Sequence, residues 1–473
     1  MIDTSRIQHF ARRGCTALVG RRATSVVGAE LASRLAGGAF WTLVGGVASQ
    51  LLALLASVSV ARLLGREVFG EFGMIRCTAM MFSTFAGFGL GLTATKHIAE
   101  FRTSAPERAG RIVVLSGLLA LVAGAIMAVT VCLSAPLLAR YAMDAPHLAG
   151  LLRVASLLLL LNTVSGVQAG GLAGFEAFKM MTRVSVAVGL LSVPILVAVT
   201  FIAGLPGAIW AVVVNLCVQV LLNQWALQIE AKRASVSLDY RSCFREWNVL
   251  WSFSLPAALS SMLSAPAMWI CHAFLVHQTG GYAQMGLFNA ANQWRMAILF
   301  VPQKICMVAL PVLSNLAAEG KLRRFKETVK ICATVTSVAS IVVATPVMLL
   351  SPWIMHAYGR SFISGASTLC LLAVSAILMA VSFVGGQAIA SLGRVWFRFV
   401  VHVVWSLTLV GSAWSLVTHG GDALGLALAN VIAYGVHCLA QYGLLTVAMR
   451  RETLRSETEQ HKASLVPDQR LAA

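Results

Sequence analysis

The sequence has very little acid. Of its 473 residues only 18 are Asp or Glu, and none lies deep in an apolar run, Glu71 coming closest. A membrane enzyme that cuts or forms glycosidic or phosphate bonds usually works with paired carboxylates or a metal cluster. The connections between apolar runs are also too short to hold a soluble active site, so an enzyme is not expected. No G-x-x-x-x-G-K-[ST] occurs, which excludes nucleotide binding through a P-loop. H-E-x-x-H, G-x-S-x-G and deaminase-like zinc patterns are absent too. The cysteines are scattered singly (Cys15, Cys77, Cys132, Cys217, Cys243, Cys271, Cys306, Cys332, Cys370, Cys438) and form no C-x-x-C pair. They read as reduced packing residues, not metal ligands or disulfides. No cofactor is expected.

Charge of either sign is sparse: 11% of residues, against about 25% in soluble chains. Hydrophobic residues make up 58%. Water cannot accommodate that composition, but a bilayer can, through helices of roughly 20 apolar residues each. Twelve apolar segments are legible, near 38–61, 71–94, 110–134, 149–173, 181–203, 207–229, 248–274, 284–316, 329–351, 364–391, 395–418 and 423–448. Backbone groups in hydrocarbon must be satisfied within the segment, so the segments are expected to be helices. Strands of a membrane barrel would be shorter and would alternate in polarity. The expected fold is therefore an all-α integral membrane protein with twelve transmembrane helices.

The net charge of +18 does not point to nucleic acid, because the bases sit in short clusters between apolar runs. With the N-terminus inside, 28 Lys and Arg fall on the inner side and only Arg62, Arg66, Arg140 and Arg360 on the outer side. That bias puts both termini in the cytoplasm. Residues 1–36 form a basic leader with no long apolar core, hence no evident cleavable signal. Ile7, Phe10, Arg12 and Arg13 would suit a surface-lying amphipathic helix, and a disordered leader suits the composition equally.

An internal repeat divides the chain. Gly166, Gln168, Ala169, Gly174 and Phe178 match Gly385, Gln387, Ala388, Gly393 and Phe397 at a constant offset of 219 residues. Glu100 and Glu319 share it, and Asn215 and Asn430 occupy similar places in segments six and twelve. Two six-helix halves inserted the same way up are expected. The boundaries would be 37–229 for the first bundle, 230–247 for a charged cytoplasmic linker, 248–449 for the second bundle and 450–473 for a tail.

The ionisable groups inside the segments are mainly basic. A charge in hydrocarbon costs a few kcal/mol or more, which makes it a functional candidate by default. Arg295 lies about 18 Å into segment eight, near the midplane. Asn289, Asn292, Gln293, Gln303 and Lys304 form a polar stripe beside it, as a helix facing a wet cavity would. Neutralisation by carbonyls at a bundle contact is the alternative for Arg295. Arg76 and Arg153 read as lying close enough to the outer ends of their helices to snorkel. Ser83 and Gly87 share the face of Arg76. Gln168 and Gln387 would line the inner mouths of the halves or bond helices together. Pro302 and Pro311 would bend segment eight.

Three stretches carry a family resemblance: F-W-T-L-V-G-G-V-A-S-Q (Phe40 to Gln50), A-R-L-L-G-R-E-V-F-G-E-F-G (Ala61 to Gly73) and G-F-G-L-G-L-T-A-T-K-H-I-A-E (Gly87 to Glu100). They resemble the bacterial polysaccharide transporter family, the repeat-unit flippases for O-antigen and exopolysaccharide. That family lies within the multidrug/oligosaccharidyl-lipid/polysaccharide exporter superfamily. The likeness is sharpest over residues 38–112. It implies two six-helix bundles in a V around a central cavity, in the inner membrane of a bacterium. The implied substrate is a polyprenyl-pyrophosphate-linked oligosaccharide moved between leaflets by alternating access, with membrane lipid around it. A polysaccharide polymerase and chain-length proteins are the implied partners, and nucleic acid is not. A pyrophosphate is anionic and would suit paired guanidinium donors. Three rivals are weighed against this. A drug or cation exporter would want buried acids. A peptidoglycan-precursor flippase usually carries two further helices. A membrane glycosyltransferase or polymerase would want the missing carboxylates.

Overall fold

The computed structural model describes residues 26–87, 89–237, 242–247, 263–420 and 422–464. Every regular element among them is helical. In chain order the helices are α1 (Val26–Gly87), α2 (Leu90–Ser104), α3 (Pro106–Leu137), α4 (Ala149–Gly174), α5 (Phe178–Arg233), α6 (Ser264–Val276), α7 (Gly281–Ala318), α8 (Leu322–Leu349), α9 (Ser351–Tyr358), α10 (Ala366–Ser391), α11 (Val395–Gly420) and α12 (Ala423–Ser464). Expectations for residues 1–25, including the amphipathic leader and Cys15, lie outside the described residues, as do 248–262 of segment seven.

Nine described helices are long and apolar enough to cross a membrane. Two of them are double. α1 breaks at Gly65 (φ 75°, ψ 174°) and α5 breaks at Gly204 (φ 58°, ψ −136°). Positive φ is cheap only for glycine, and one residue of that geometry reverses the chain with no loop. Each of these helices is therefore two spans. With α6, the described part of segment seven, the twelve expected spans are present.

Segment two is less regular than its hydropathy implies. It stops at Gly87 and restarts as α2 after the left-handed Gly89 (φ 67°). The absent side chain of Gly91 brings the α2 backbone against Gly166 and Gly170 of α4, and the Thr95 hydroxyl donates to the Gly170 carbonyl at 2.9 Å. Segment eight behaves otherwise: α7 runs unbroken through Pro302 and Pro311. Its 38 residues span about 57 Å, well beyond a bilayer core of about 30 Å.

The buried apolar residues sort into three clusters. One, at the Gly65 end, joins both halves: Val60, Phe69, Ile75 and Leu152 pack with Leu275, Phe288, Tyr358 and Leu409. At the opposite end there are two. Ile98, Leu115 and Leu227 belong to one bundle, and Leu313, Phe325 and Ile389 to the other. Among the described residues, then, the bundles share a core at one end and keep separate cores at the other, the arms of a V. Gly46 of α1, lying against the Phe300 ring, is an approach between the arms.

Polar contacts tie the shared end. Arg62 donates to the Ala357 carbonyl at 2.6 Å, the Tyr282 hydroxyl to the Met143 carbonyl at 2.6 Å, and the Trp269 indole to the Thr78 hydroxyl at 2.9 Å. The Cys77 thiol meets His272 Nδ1 at 3.0 Å. Gly70 lies against the Tyr282 backbone and Gly73 against Asn289, so a Cβ at either would overlap its neighbour.

At the other end a buried carboxylate ties the short turn Cys243–Glu246 to α3. Arg108 donates through Nε and Nη2 to both Glu246 oxygens at 3.1 and 2.9 Å, and Arg111 adds a bond at 3.2 Å. Arg108 holds Glu246 below the usual carboxylate range through these bonds. The nine described cysteines form no disulfide.

Candidate functional site

The first bundle contains a cavity of about 300 Å³ whose mainly apolar wall carries several polar groups. Arg76, Ser57, Asn162, Ser192 and Asn215 line it from the first bundle, and Gln293 reaches it from α7. A second cavity of about 390 Å³ shares Met80 and Asn162 with the first and opens along Ser83, Thr84 and Gly87 at the break in segment two. Together they run from Arg76 towards the end where the bundles separate. Ser83 and Gly87, placed on the Arg76 face by helical spacing, do line this path.

Arg76 sits deeper than its segment boundary implied. Helix resumes directly after Gly65, eleven residues earlier, which puts Arg76 about 16 Å from the turn and near midplane. It is half-buried. Its guanidinium lies 5.4 Å from the Phe72 ring centre and has no hydrogen-bond or ion-pair partner among the described residues. The Asn215 amide oxygen nearby is buried and equally without a partner. A cation and several amide and hydroxyl groups converging on one cavity can hold an anion and a polyol together.

Arg295 is placed differently. It is 3% exposed, and its Nη1 donates to the Asn430 amide oxygen at 2.9 Å, within the second bundle. Asn430 in turn donates to the Leu426 carbonyl at 2.9 Å. Arg295 thus bridges α7 and α12 in packed surroundings, while its Nε remains buried without a partner.

The remaining stripe residues fan out along α7. Gln293 faces the Arg76 cavity, and Asn289 lies against Gly73 at the bundle contact. Asn292 keeps a buried, unpartnered amide oxygen. Lys304 is half-buried, its ammonium 5.5 Å from the Phe300 ring centre, and Gln303 is exposed. Arg153 is exposed. Gln168 is buried and donates to Gln224 at 3.0 Å, gluing α4 to α5. Gln387 is half-buried on α10. The structure therefore brings Arg76 and Gln293 together and separates them from Arg295.

One relation escapes the sequence reading although the signal is present. Arg76 and Arg295 are themselves 219 residues apart, the offset of the repeat, as are Phe69 and Phe288. Each Arg is accompanied by the Asn of its own half, Asn215 or Asn430. The second bundle has its pair closed at 2.9 Å; the first has both members lining an open cavity.

Twelve spans in two bundles that share a core at one end form a fold with counterparts among solved structures. An inward-facing multidrug resistance transporter of the MATE family superposes with a TM-score of 0.71 at 18% identity, covering 87% of this chain and 99% of that one. At that identity the likeness is one of fold. The family model described as polysaccharide biosynthesis protein matches residues 35–317, and the chain belongs to that family. A protein of Ralstonia nicotianae named EPS I polysaccharide export inner membrane protein EpsE is 27% identical over 414 residues, 85% of this chain and 91% of the relative. Its namesake from Ralstonia solanacearum is 25% identical over 417 residues, with the same shares.

Proposed function

We propose that this protein exports polysaccharide precursors, moving a polyprenyl-pyrophosphate-linked oligosaccharide from the cytoplasmic to the outer leaflet of a bacterial inner membrane. The observation that carries the reading is the unpartnered Arg76 guanidinium at mid-depth in a cavity to which amides and hydroxyls also contribute. An uncompensated charge in low dielectric is costly, and an anionic ligand removes that cost. The planar fork of Arg matches phosphate oxygens. Asn162, Asn215 and Gln293 supply donors and acceptors of the kind that bind sugar hydroxyls. The names of the Ralstonia relatives support export of polysaccharide as the task.

Mechanistically the reading is alternating access. The 28-to-4 bias of basic residues supports both termini in the cytoplasm, so the separated arms face inwards in this conformation. The diphosphate enters along the Ser83–Gly87 path to Arg76 while the polyprenyl tail stays in lipid. Closing the arms and parting the shared core would release the headgroup outside. Gln387 and Lys304, on the second arm, belong to the mouth in this reading.

The test is replacement of the chromosomal copy by Arg76→Ala and Arg76→Lys forms. Arg76→Ala should abolish surface polysaccharide and leave lipid-linked repeat units on the inner leaflet, at unchanged protein abundance. Arg76→Lys should retain part of the export. Full export by Arg76→Ala refutes the site. Normal polysaccharide with raised drug sensitivity on deletion of the whole protein refutes the function and favours a drug exporter.

A further inference from the structure

Beside the path to Arg76 the first bundle holds a space of another kind. A cavity of about 270 Å³ lies among α2, α3, α4 and α5, and every residue lining it belongs to the first bundle. Ala94, Ile98, Val113, Val114, Val164 and Leu227 make much of its wall. Its two polar side chains, Gln168 and Gln224, bond each other at 3.0 Å, and no charged residue lines it. A diphosphate finds no counter-charge here, whereas a hydrocarbon chain needs none.

This slot opens sideways. On α3, Leu118, Val122, Ile126, Val129 and Leu133 recur at three- and four-residue spacing and are all exposed. Such an apolar stripe on a spanning helix faces hydrocarbon. Leu118 belongs both to that stripe and to the slot wall, so the slot is reached from lipid along the edge of the stripe. Its α3 wall, Val113 to Leu121, lies in the Pro106 half of the 32-residue helix. The basic-residue bias puts that half on the inner side. Gly117 makes the room: a Cβ there would meet nothing within 4 Å.

The slot also borders the route of the headgroup. Val167 lines both the slot and the cavity along Ser83 and Gly87. On α2, Gly91 and Leu92 line that route, and Ala94 and Ile98 line the slot. A cargo with its headgroup in the route and its tail in the bilayer passes from one to the other beside this compartment.

We propose that the slot holds the isoprenoid chain of the cargo, in the segment nearest the diphosphate. The inference rests on the reading of the cargo as a polyprenyl-linked lipid and adds where its chain leaves the protein. Bilayer lipid is as apolar as the slot, so burial alone favours no chain over another. The tether does. A chain whose diphosphate is held at Arg76 meets the slot at high effective concentration, and a free phospholipid does not.

The test places p-benzoylphenylalanine at Leu118, or at Leu133 on the same stripe but outside the slot. Each protein is set in nanodiscs of phosphatidylethanolamine and phosphatidylglycerol that carry undecaprenyl diphosphate. After irradiation the adducts are identified by mass spectrometry. The ratio of isoprenoid to phospholipid adducts should be about tenfold higher at 118 than at 133. Gly117→Phe fills the slot and should bring the two ratios within about twofold, while Gly150→Phe, placed in open space outside the slot, keeps the difference. If Gly117→Phe folds poorly, the smaller Gly117→Leu decides. Equal ratios at 118 and 133, or a difference undiminished in the Gly117 variants, overturns the proposal and leaves the slot to bulk acyl chains. The Arg76 reading is judged apart from this. Equal ratios together with export lost in Arg76→Ala refute the slot alone. A difference that survives Arg76→Ala upholds the slot and counts against Arg76 as its anchor.

Discussion

Removing Asn430 should unbalance the second bundle more than removing the charge it holds. Asn430→Leu deletes the hydrogen-bond acceptor of a guanidinium that is 3% exposed and already has one unpartnered nitrogen. A buried charge stripped of its partner typically costs about 3 kcal/mol. Arg295→Met instead removes the charge and leaves a neutral amide that keeps its bond to the Leu426 carbonyl, a loss of about 1.5 kcal/mol. The double replacement has neither charge nor orphaned amide and should also lie about 1.5 kcal/mol below wild type. The coupling energy is then about 3 kcal/mol, in the sense that the second change rescues the first. Unfolding by steric trapping in bicelles gives the energies, and thermal melting in detergent gives the order: wild type above Arg295→Met and the double variant, with Asn430→Leu lowest. Equal melting of Asn430→Leu and wild type, or a double variant no better than Asn430→Leu, refutes the buried clamp. Export by the double variant separates the roles of the two cations. If it matches wild type while Arg76→Ala is inactive, Arg295 is a structural cation and Arg76 the substrate cation.

Glu246→Gln should lower the melting temperature at pH 7 by several degrees, because it breaks a two-pronged bond to Arg108 and the bond to Arg111. The folded carboxylate is held below its ordinary range, so its contribution is complete above about pH 5 and disappears as pH falls through the folded value. Melting curves at pH 7 and pH 4 should therefore differ less for Glu246→Gln than for wild type. Gly70→Val should block closure at the Gly65 end by overlapping the Tyr282 carbonyl. The expected readout is loss of export at normal protein abundance.

The twelve spans are legible because hydropathy alone fixes them: no other state satisfies so many apolar residues with so few charges. The single-glycine turns at Gly65 and Gly204 also fall near the ends of the apolar segments. The break at Gly89 does not show, since Gly-Phe-Gly is as apolar as a continuous helix. The same blindness to backbone geometry misjudges Arg76. Hydropathy starts its segment at residue 71, whereas the helix resumes at 66, and five residues change a snorkelling cation into one near midplane. Arg295 reads as the stronger candidate in the sequence because a polar stripe on a helix has two causes, water or a packed polar partner, and periodicity does not distinguish them. Asn430 stands out as a repeat residue but not as a partner, because pairing across helices is a tertiary fact. Gly70 stands out as part of the G-x-F that opens segments two and eight, but the backbone contact it permits to Tyr282 is again a tertiary fact.

Where helix turns into helix through a lone glycine, nothing protrudes. At Gly65 and Gly204 the chain offers antibodies, proteases and inserted tags no slack to grip, and a peptide spliced there would have to unwind a span to be seen. A topology map built on insertions at the two glycines would record damage to the transporter and mistake it for an answer about sidedness.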